Sequence, residues 1–255
     1  LYKGKDIAQI DKTELKQYRR ELQMVFQDPY GFLDPRQSVY TILREAIISD
    51  RKPHSTQEIQ DRVLQLIDQV ELSKEMITRY PHELSGGQRQ RLGIARALAC
   101  KPKMIVCDEP VSALDVSIQA QVINLFERLQ KELGLTYIFV AHDLAVVRHI
   151  AKRIGVMYLG HLVEVMDSGE MYRHSLHPYT QALLSAVPTT DYYAEKQRTR
   201  ILLEGEVPSP IHAPTGCPFH PRCRYATEAC KKEIPGLKDV GGNHLLACFN
   251  PPTIK

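Results

Sequence analysis

Apolar residues fall along this chain in two distinct patterns. Continuous apolar runs at 104–107 and 137–140 have the length of β-strands that are buried on both faces of a sheet. A third stretch of strand length, 22–27, ends at the polar residue Gln27. Elsewhere the apolar residues recur every three or four positions, which is the spacing of amphipathic helices. The pattern therefore predicts strands separated by helices.

The helical pattern is clearest in two segments and continues in a third. One buried helical face is predicted from the spacing of Ile59, Val63, Leu66, Ile67 and Val70. A helix at about 117–133 places four apolar residues on one side, namely Ala120, Ile123, Phe126 and Leu129. A further helical segment follows the strand at 137–140 and runs to about residue 152. Strands that alternate with helices predict a doubly wound α/β domain with a largely parallel sheet.

The pattern changes twice towards the C-terminus. Residues 156–164 are typical of a β-hairpin that turns at Gly160. After about residue 188 prolines become frequent, and four of the six cysteines follow. We place a boundary at about 188–200, and we predict a main domain over 1–188 and a small, loop-rich module over 189–255.

Composition narrows the class of protein. Hydrophobic residues make up 43% and charged residues 25% of the 255, which is ordinary for a globular protein. The net charge of +3 is too small to indicate nucleic-acid binding, and the chain has no Trp for base stacking. We find no signal peptide and no apolar run of about 18 residues, and we expect a cytosolic chain whose membrane contacts come through partners.

The segment 84–88, Leu-Ser-Gly-Gly-Gln, precedes a long, arginine-rich helical stretch. Ser85 is suited to cap that helix, and Gly86 and Gly87 leave the backbone N–H groups open to a phosphate. The helix dipole adds about half a positive charge at this end, so the segment predicts an anion site. Taken alone, Ser-Gly-Gly favours a solvated turn.

Acidic and imidazole groups follow the two buried strands. Asp108 and Glu109 close the strand at 104–107, and His142 lies just past the strand at 137–140. The carboxyl ends of such strands are where α/β folds bind ligands. Asp108 suits Mg²⁺, usually through water, and Glu109 suits a general base that polarises water. A solvated acidic pair and a structural His are the alternatives for these residues in isolation.

Five elements in this order resemble the ATP-binding subunit of an ATP-binding-cassette (ABC) transporter. Gln27 resembles the Q-loop glutamine of that family, 84–88 its signature, 104–109 its Walker B segment, 112–115 its D-loop and His142 its switch histidine. The resemblance implies a P-loop NTPase-like (RecA-like) core with a helical subdomain at about 36–100.

The resemblance also implies roles for single residues in the binding and hydrolysis of ATP with Mg²⁺. Glu109 and His142 are the expected catalytic residues, with His142 contacting the γ-phosphate, and Asp108 and Gln27 are the expected contacts of Mg²⁺ or its water. The expected nucleotide-binding residues also include Ser85, Gly86, Gly87 and Gln88 of the signature and Asp115, which we expect to span a subunit interface.

One element of that family is missing from the sequence. No G-x-x-x-x-G-K-[S/T] phosphate loop occurs in these 255 residues. In the family it lies upstream of where this sequence begins; residues 1–7 resemble the middle of a β-hairpin and lack an initiator Met, so we expect a truncated chain. Such ATPases act as head-to-tail dimers in which one subunit's signature completes the partner's site. We expect this chain alone to bind ATP poorly and to hydrolyse it negligibly.

Two further segments resemble one branch of the family. His177-Pro178-Tyr179 with the residues to 184, and the loop 28–36, are similar to features of oligopeptide and dipeptide importer ATPases. This implies import of peptides, with nickel or another small solute as the alternative. The implied partners are a second ATP-binding subunit, identical or different, two transmembrane permease subunits facing 28–45 and, indirectly, an extracytoplasmic solute-binding protein. The implied location is the cytoplasmic face of the inner membrane, as a peripheral subunit.

The C-terminal module concentrates cysteine. Cys217, Cys223, Cys230 and Cys248 are too widely spaced for the usual structural zinc motif, yet in a cytosolic chain they favour metal over disulfides. The module resembles the cysteine-rich extension of peptide-importer ATPases. Four thiolates suit a [4Fe–4S] cluster and equally suit Zn²⁺, and four unligated thiols remain the alternative.

Two rival functions come from other classes. A soluble cassette ATPase that acts on ribosomes or DNA would typically carry paired cassettes or coiled-coil insertions, and this chain has one cassette and no heptad array. A degenerate, non-hydrolysing partner is disfavoured by Glu109 and His142, although the missing phosphate loop leaves it open.

Overall fold

The computed structural model describes residues 1–49, 53–187 and 200–252. Within it the chain forms two compact units, Leu1–His142 and Asp143–Lys255. The boundary expected at about 188–200 lies almost wholly in residues 188–199, outside the described ranges. The division into domains at residue 188 therefore stays a prediction.

A three-stranded parallel sheet forms the centre of the first unit. Its strands are β1 (Leu22–Val25), β2 (Met104–Asp108) and β3 (Thr136–Val140), in the order β1-β2-β3. The register pairs Val25 with Cys107 and Cys107 with Phe139. The parallel arrangement predicted from the alternation of strands and helices is confirmed, and it brings three strand ends to one edge.

The prediction that these strands are buried on both faces is wrong. In β2 the side chains of Ile105 and Cys107 are fully buried, whereas the alternate residues are only half-buried. In β3 Ile138 and Val140 are 50% and 47% exposed. Successive residues of a strand point to opposite faces. The helix Val116–Leu133 covers one of these faces, where Tyr137 and Phe139 contact Phe126. An apolar run does not reveal which of its faces is covered.

Six α-helices accompany the sheet in the described part of the first unit. They are α1 (Lys12–Glu21), α2 (Pro29–Phe32), α3 (Val39–Ile48), α4 (Thr56–Gln69), α5 (Gly86–Ala99) and α6 (Val116–Leu133). Short 3₁₀ turns lie at Ile7–Gln9, Lys74–Thr78 and Pro81–Glu83. Helices α3, α4 and α5 pack on one another within the region 36–100 that was expected to be helical.

Helical periodicity predicted the buried faces with one error. Ile59, Val63, Leu66 and Ile67 of α4 and Val70 at its C-cap are all buried. In α6, Ile123, Phe126 and Leu129 are buried as predicted, but Ala120 is exposed. At the start of the same helix, Val116 is also exposed, to 81%. Burial therefore begins one turn later than the sequence period indicates.

The second unit contains a four-stranded antiparallel sheet. Its strands are β4 (Arg153–Tyr158), β5 (His161–Asp167), β6 (Lys238–Asp239) and β7 (Leu245–Leu246), in the order β4-β5-β7-β6. Leu159 and Gly160 turn the first hairpin with positive φ angles of 44° and 79°, which confirms the hairpin predicted there. The helices are α7 (Leu144–Ile150), α8 (Met171–His174), α9 (Pro178–Ala186) and α10 (Glu228–Lys232), with a 3₁₀ turn at His220–Arg222.

A buried carboxylate fixes the segment that leads into α9. Glu164 of β5 is fully buried, and its two carboxylate oxygens accept hydrogen bonds from the backbone N–H groups of Leu176 and His177 at 2.6 Å and 3.2 Å. Nε2 of His244 lies 2.9 Å from the same carboxylate. A buried charge needs such partners, since an unpaired one is strongly destabilising.

His177 caps α9 from within the core. Its side chain is 1% exposed, and Nδ1 accepts a hydrogen bond from the backbone N–H of Tyr179 at 3.1 Å. Burial lowers the pKa of His177 to about 4 from its usual 6.5, because the desolvated ring disfavours the charged form. An accepting Nδ1 also requires the neutral ring.

Acidification is therefore expected to destabilise the second unit. The unfolded chain takes up a proton on His177 near pH 6.5, whereas the folded chain does so near pH 4, so stability is complete above 6.5 and is lost as pH falls towards 4. The difference corresponds to about 3 kcal/mol at most. His177→Asn keeps a capping acceptor without the titration. Its melting temperature should change less between about pH 7 and pH 5 than that of the wild type, measured by calorimetry; equal changes would contradict the assignment.

Candidate functional site

Three of the predicted site residues meet at the carboxyl edge of the parallel sheet. Gln27 follows β1, Glu109 follows β2 and His142 follows β3. Because the strands are parallel and adjacent, their carboxyl ends share one edge. The sequence positions and the register together account for this convergence.

The geometry centres on one oxygen of Glu109. Nε2 of Gln27 donates a hydrogen bond to Oε2 of Glu109 at 2.9 Å, and Nδ1 of His142 lies 3.4 Å from the same oxygen. The side chain of His142 is 70% exposed, whereas that of Glu109 is 27% exposed. A carboxylate held between an amide and an imidazole at a solvent-accessible edge is suited to accept a proton from water.

The backbone of Glu109 is strained. Its φ of +42° is in the left-handed region, which a residue with a side chain enters at a cost of about 1 kcal/mol or more. Three hydrogen bonds hold it there: the N–H of Glu109 donates to the carbonyl of Val140 at 2.9 Å, and its own carbonyl accepts from the N–H and the hydroxyl of Ser112. The strand therefore turns sharply where the predicted base is placed.

Asp108, a predicted contact of Mg²⁺, directly precedes Glu109 in the chain. It is the last residue of β2, is half-buried and pairs in register with Val140. Mg²⁺ is typically held by one or two side-chain oxygens together with substrate phosphates and water. The Asp108 carboxylate and the Gln27 amide oxygen fit that description, because the Gln27 contact with Glu109 uses only the amide nitrogen.

Ser85 caps helix α5, as predicted. Its hydroxyl accepts the N–H of Gln88 at 3.3 Å, and the amide oxygen of Gln88 accepts the N–H of Ser85 at 2.9 Å, which is a complete capping box. The first-turn amides of a helix have no partner inside it. In the described part of the chain, the capping box occupies the N–H groups of Ser85 and Gln88. The N–H groups of Gly86 and Gly87 remain for an anion.

Gly87 has a packing role that the sequence did not reveal. A Cβ atom on Gly87 would lie 2.5 Å from Cγ2 of Ile118, and one on Gly86 would lie 3.4 Å from Cδ2 of Leu114. The explanation that Gly87 only exposes the backbone is therefore incomplete, because the residue is buried against α6. No sequence pattern pointed to Ile118.

Asp115 begins α6. Its carboxylate accepts the N–H of Ile118 at 3.1 Å, as an N-cap. The segment 109–118 thus extends from Glu109 to the residues that contact the two signature glycines. The role of Asp115 across a subunit interface stays a prediction.

The arginines of α5 have structural partners. Arg89 is buried and donates to the carbonyls of Pro81 and Leu84 at 3.1 Å and 2.5 Å. Arg91 donates to the carbonyl of Val70 and to Glu71, both at 2.8 Å. The arginine-rich character of this helix therefore anchors it to the preceding loops.

The four cysteines of the C-terminal module lie close enough to influence one another. Cys217 and Cys230 are buried, and Cys223 and Cys248 are half-buried. Burial raises the pKa of Cys217, Cys223 and Cys248, the last to about 11, and the neighbouring thiols raise these pKa values further. The N–H of Cys217 donates to the carbonyl of Cys230 at 2.8 Å.

Proximity does not amount to a formed metal site. Across residues 1–49, 53–187 and 200–252, no group of three or more His, Cys, Asp or Glu side chains is arranged to hold a metal ion. All four cysteines are present as free thiols. The four cysteines therefore match a metal site in the type and number of their donor atoms and in their proximity to one another.

No helix in the described part of the chain is both long enough and apolar enough to cross a bilayer.

Two family descriptions match parts of the chain. Residues 1–112 match the ABC transporter family, and residues 163–230 match the C-terminal region of oligopeptide/dipeptide transporters. The first range contains Gln27, the signature segment and Glu109. The second contains His177-Pro178-Tyr179 and three of the four tail cysteines.

Similar proteins extend over almost the whole chain. The oligopeptide transport ATP-binding protein AppF of Bacillus subtilis (strain 168) is 51% identical over 97% of this chain and 75% of its own length. The oligopeptide transport ATP-binding protein OppF of Escherichia coli (strain K12) is 51% identical over 96% of this chain and 73% of its own length.

Solved structures show the same fold. The ATP-binding cassette MJ0796, in a post-hydrolysis state bound to ADP and Pi, is similar with a TM-score of 0.55 and 31% identity over 63% of this chain and 68% of that one. The cbiO1 protein of Clostridium perfringens, part of an ABC transporter complex, has a TM-score of 0.60 and 28% identity over 68% and 66%. The chain belongs to the ABC transporter family of ATP-binding proteins, in its oligopeptide/dipeptide transporter branch.

Proposed function

We propose that this chain is the ATP-hydrolysing subunit that powers import of peptides through an ABC transporter. The observation that carries the proposal is the convergence of Gln27 and His142 on the Glu109 carboxylate. The names of the relatives, oligopeptide transport ATP-binding proteins, support peptides as the solute.

In this function Glu109 is the general base. Its carboxylate accepts the proton of the water that attacks the γ-phosphate of ATP, and His142 contacts that phosphate. Asp108 and Gln27 would hold Mg²⁺, which when bound would neutralise charge on the phosphates. The three hydrogen bonds that fix the Glu109 backbone orient the base before ATP arrives.

The signature segment serves a different nucleotide. Ser85, Gly86, Gly87 and Gln88 contact the γ-phosphate of an ATP that is bound mainly by the phosphate loop of a second ATP-binding subunit. A capped helix N-terminus with two open amides is suited to that anion. Asp115 lies at the interface between the two subunits.

The isolated 255-residue chain should bind ATP only weakly. It contains no G-x-x-x-x-G-K-[S/T] sequence, and hence neither the backbone cradle nor the lysine for the β- and γ-phosphates. We expect a dissociation constant well above about 10 μM, or roughly weaker than −7 kcal/mol, by calorimetric titration with Mg–ATP. Affinity in the low micromolar range would contradict this prediction.

The permease subunits dock beside the Q-loop. A groove of about 1100 Å³ in the first unit is lined by residues of α1, α3 and α5 and by Phe32, Leu33, Asp34 and Gln37. The lining residues of 32–45 fall within the expected contact region 28–45. In this arrangement the chain is a peripheral subunit at the cytoplasmic face of the inner membrane.

The transport function is tested in the assembled complex. The complete ATPase is reconstituted in vesicles with its two permease subunits, its partner ATPase and the solute-binding protein. We expect ATP-dependent uptake of labelled di- or oligopeptides and ATP hydrolysis that peptide stimulates. Uptake of Ni²⁺ without peptide uptake would overturn the peptide assignment, and absence of any ATP-dependent uptake would overturn transport.

The tail cysteines hold a [4Fe–4S] cluster or Zn²⁺. Four neighbouring thiols supply the ligand type and number that both groups require. A glycine shapes the site: Gly216 has a φ of +71°, and a Cβ there would overlap the carbonyl of Cys230. Either group supplies a cross-link between the Cys217 turn and α10.

Anaerobic purification distinguishes the two groups. Iron–sulfur ligation gives a broad absorbance band near about 400 nm, which zinc lacks, and metal analysis identifies Zn²⁺ directly. In both cases Cys230→Ser should lower the metal content and the melting temperature together. A protein with neither metal, and full stability in that variant, would show four unligated thiols.

A further inference from the structure

The segment that follows Gln27 is hydrogen-bonded through a backbone carbonyl to α5, the signature helix, which begins within the segment 84–88. Nη1 of Arg96, in α5, donates to the carbonyl of Phe32, at the end of α2, at 2.7 Å. The Arg96 guanidinium also lies 4.9 Å from the centre of the Phe32 ring. A charged donor makes such a bond stronger than a neutral one, and the cation–π contact adds to it.

Gly93 provides the recess that this contact requires. A Cβ atom on Gly93 would lie 2.7 Å from Cζ and 3.1 Å from Cε2 of Phe32, so the ring lies directly on the helix backbone. Glycine inside a helix destabilises it by about 1 kcal/mol relative to alanine. The glycine at this buried position is thus explained by the ring.

The contact continues from Phe32 to the predicted catalytic carboxylate. The Phe26 ring lies 5.3 Å from the Phe32 ring. Phe26 precedes Gln27, whose side chain is bonded to Glu109 at 2.9 Å. Both ends of this series belong to the first unit, and each step is a direct contact.

We propose that Arg96, Phe32 and Gly93 are positioning residues, which make helix α5 and the Q-loop segment move as one body. When the signature end of α5 engages a phosphate, the same displacement is then passed to Gln27 and to the bond that Gln27 donates to Glu109. The proposal rests on the proposed ATPase function. It assigns the coupling between the signature segment 84–88 and Glu109 to three residues that belong to neither.

Overpacking of the recess tests the link. Gly93→Ala is made in the complete ATPase and assayed in the reconstituted transporter. The added methyl must displace the Phe32 ring, because overpacking strains the surrounding structure, and we take a fall of roughly fivefold in rate as the mark of a weakened link. We expect the peptide-stimulated kcat to fall by that factor, with KM for ATP within about twofold. Phe32→Ser removes the ring and its contacts with Phe26 and Arg96, so it should lower kcat by itself, and adding Gly93→Ala to it should cause no further loss because the clash is gone.

Arg96 has a matched control. Nη2 of Arg62, in α4, donates to the carbonyl of Leu98, also in α5, at 3.0 Å. Burial lowers the pKa of both arginines, and each makes one side-chain bond to a backbone carbonyl. Arg96→Gln should lower stimulated kcat and the number of peptides imported per ATP. Arg62→Gln should leave that ratio unchanged, at a similar change in melting temperature.

The outcomes separate the link from ordinary stability and from the proposed function. Wild-type kcat in Gly93→Ala, or equal losses in the two arginine variants, would overturn the positioning role. So would wild-type kcat in Phe32→Ser, or a further loss when Gly93→Ala is added to it. A wild-type complex without ATPase activity would instead contradict the proposed function.

Discussion

Glu109→Gln will reduce ATP hydrolysis by the assembled transporter by about 10²–10⁴-fold, the range that a general base contributes. The glutamine keeps the length of the side chain, and its carbonyl oxygen can still accept the Gln27 bond of 2.9 Å. It cannot accept a proton from water. The strained φ of +42° is the same for both residues, so the backbone should not relax.

Phosphate release and ATP binding are measured on the same preparation. We expect unchanged ATP affinity, because the contacts that hold Mg²⁺ and the phosphates lie on other residues. Glu132→Gln, in an exposed ion pair with Arg128 on α6, is the matched control and should hydrolyse ATP at the wild-type rate. Residual activity above about a tenth in Glu109→Gln would exclude Glu109 as the base.

Gly87→Ala will also inactivate the transporter, by a steric route. The new Cβ would lie 2.5 Å from Cγ2 of Ile118, a separation that requires the Ile118 side chain or one of the two helices to shift. Overpacking of this kind costs about 1–3 kcal/mol and shifts the backbone, here at the two amides proposed for phosphate binding. We expect a loss of hydrolysis of about tenfold or more and a lower melting temperature.

Two companion variants make that prediction specific. Gly86→Ala places its Cβ 3.4 Å from Leu114, close to ordinary contact, and should be much milder. Ile118→Ala in the Gly87→Ala background opens the space and should recover most of the stability and activity. If the double variant stays inactive although its melting temperature recovers, the glycine is needed for direct contact with the phosphate.

The sequence predicted the parallel core and its site because both depend on local signals. Strand ends are marked by polar residues directly after apolar runs, and parallel register brings Gln27, Glu109 and His142 to one edge. The capping role of Ser85 follows from the Ser-x-x-Gln spacing. Such features require no knowledge of distant contacts.

Contacts between residues that are far apart in the chain could not be predicted from the sequence. The contact of Gly87 with Ile118, the recess of Gly93 under Phe32 and the burial of Glu164 beside His244 join residues far apart in the chain. The exposure of Ile138 and Val140 has the same origin, since it depends on which face of the sheet the helices cover. Periodicity predicts which residues share one face of a strand or helix, but it does not predict whether another element covers that face.

The segment between Glu109 and Ile118 fixes the distance between the predicted base and the signature helix α5. One end is fixed by the hydrogen bonds at Glu109, and the other by the helix cap at Asp115 and the glycine contact at Ile118. Most surface connections tolerate changes in length. This one should not, because a single inserted or deleted residue would displace the predicted base relative to the signature helix. Homologous chains are therefore expected to keep the length of this segment.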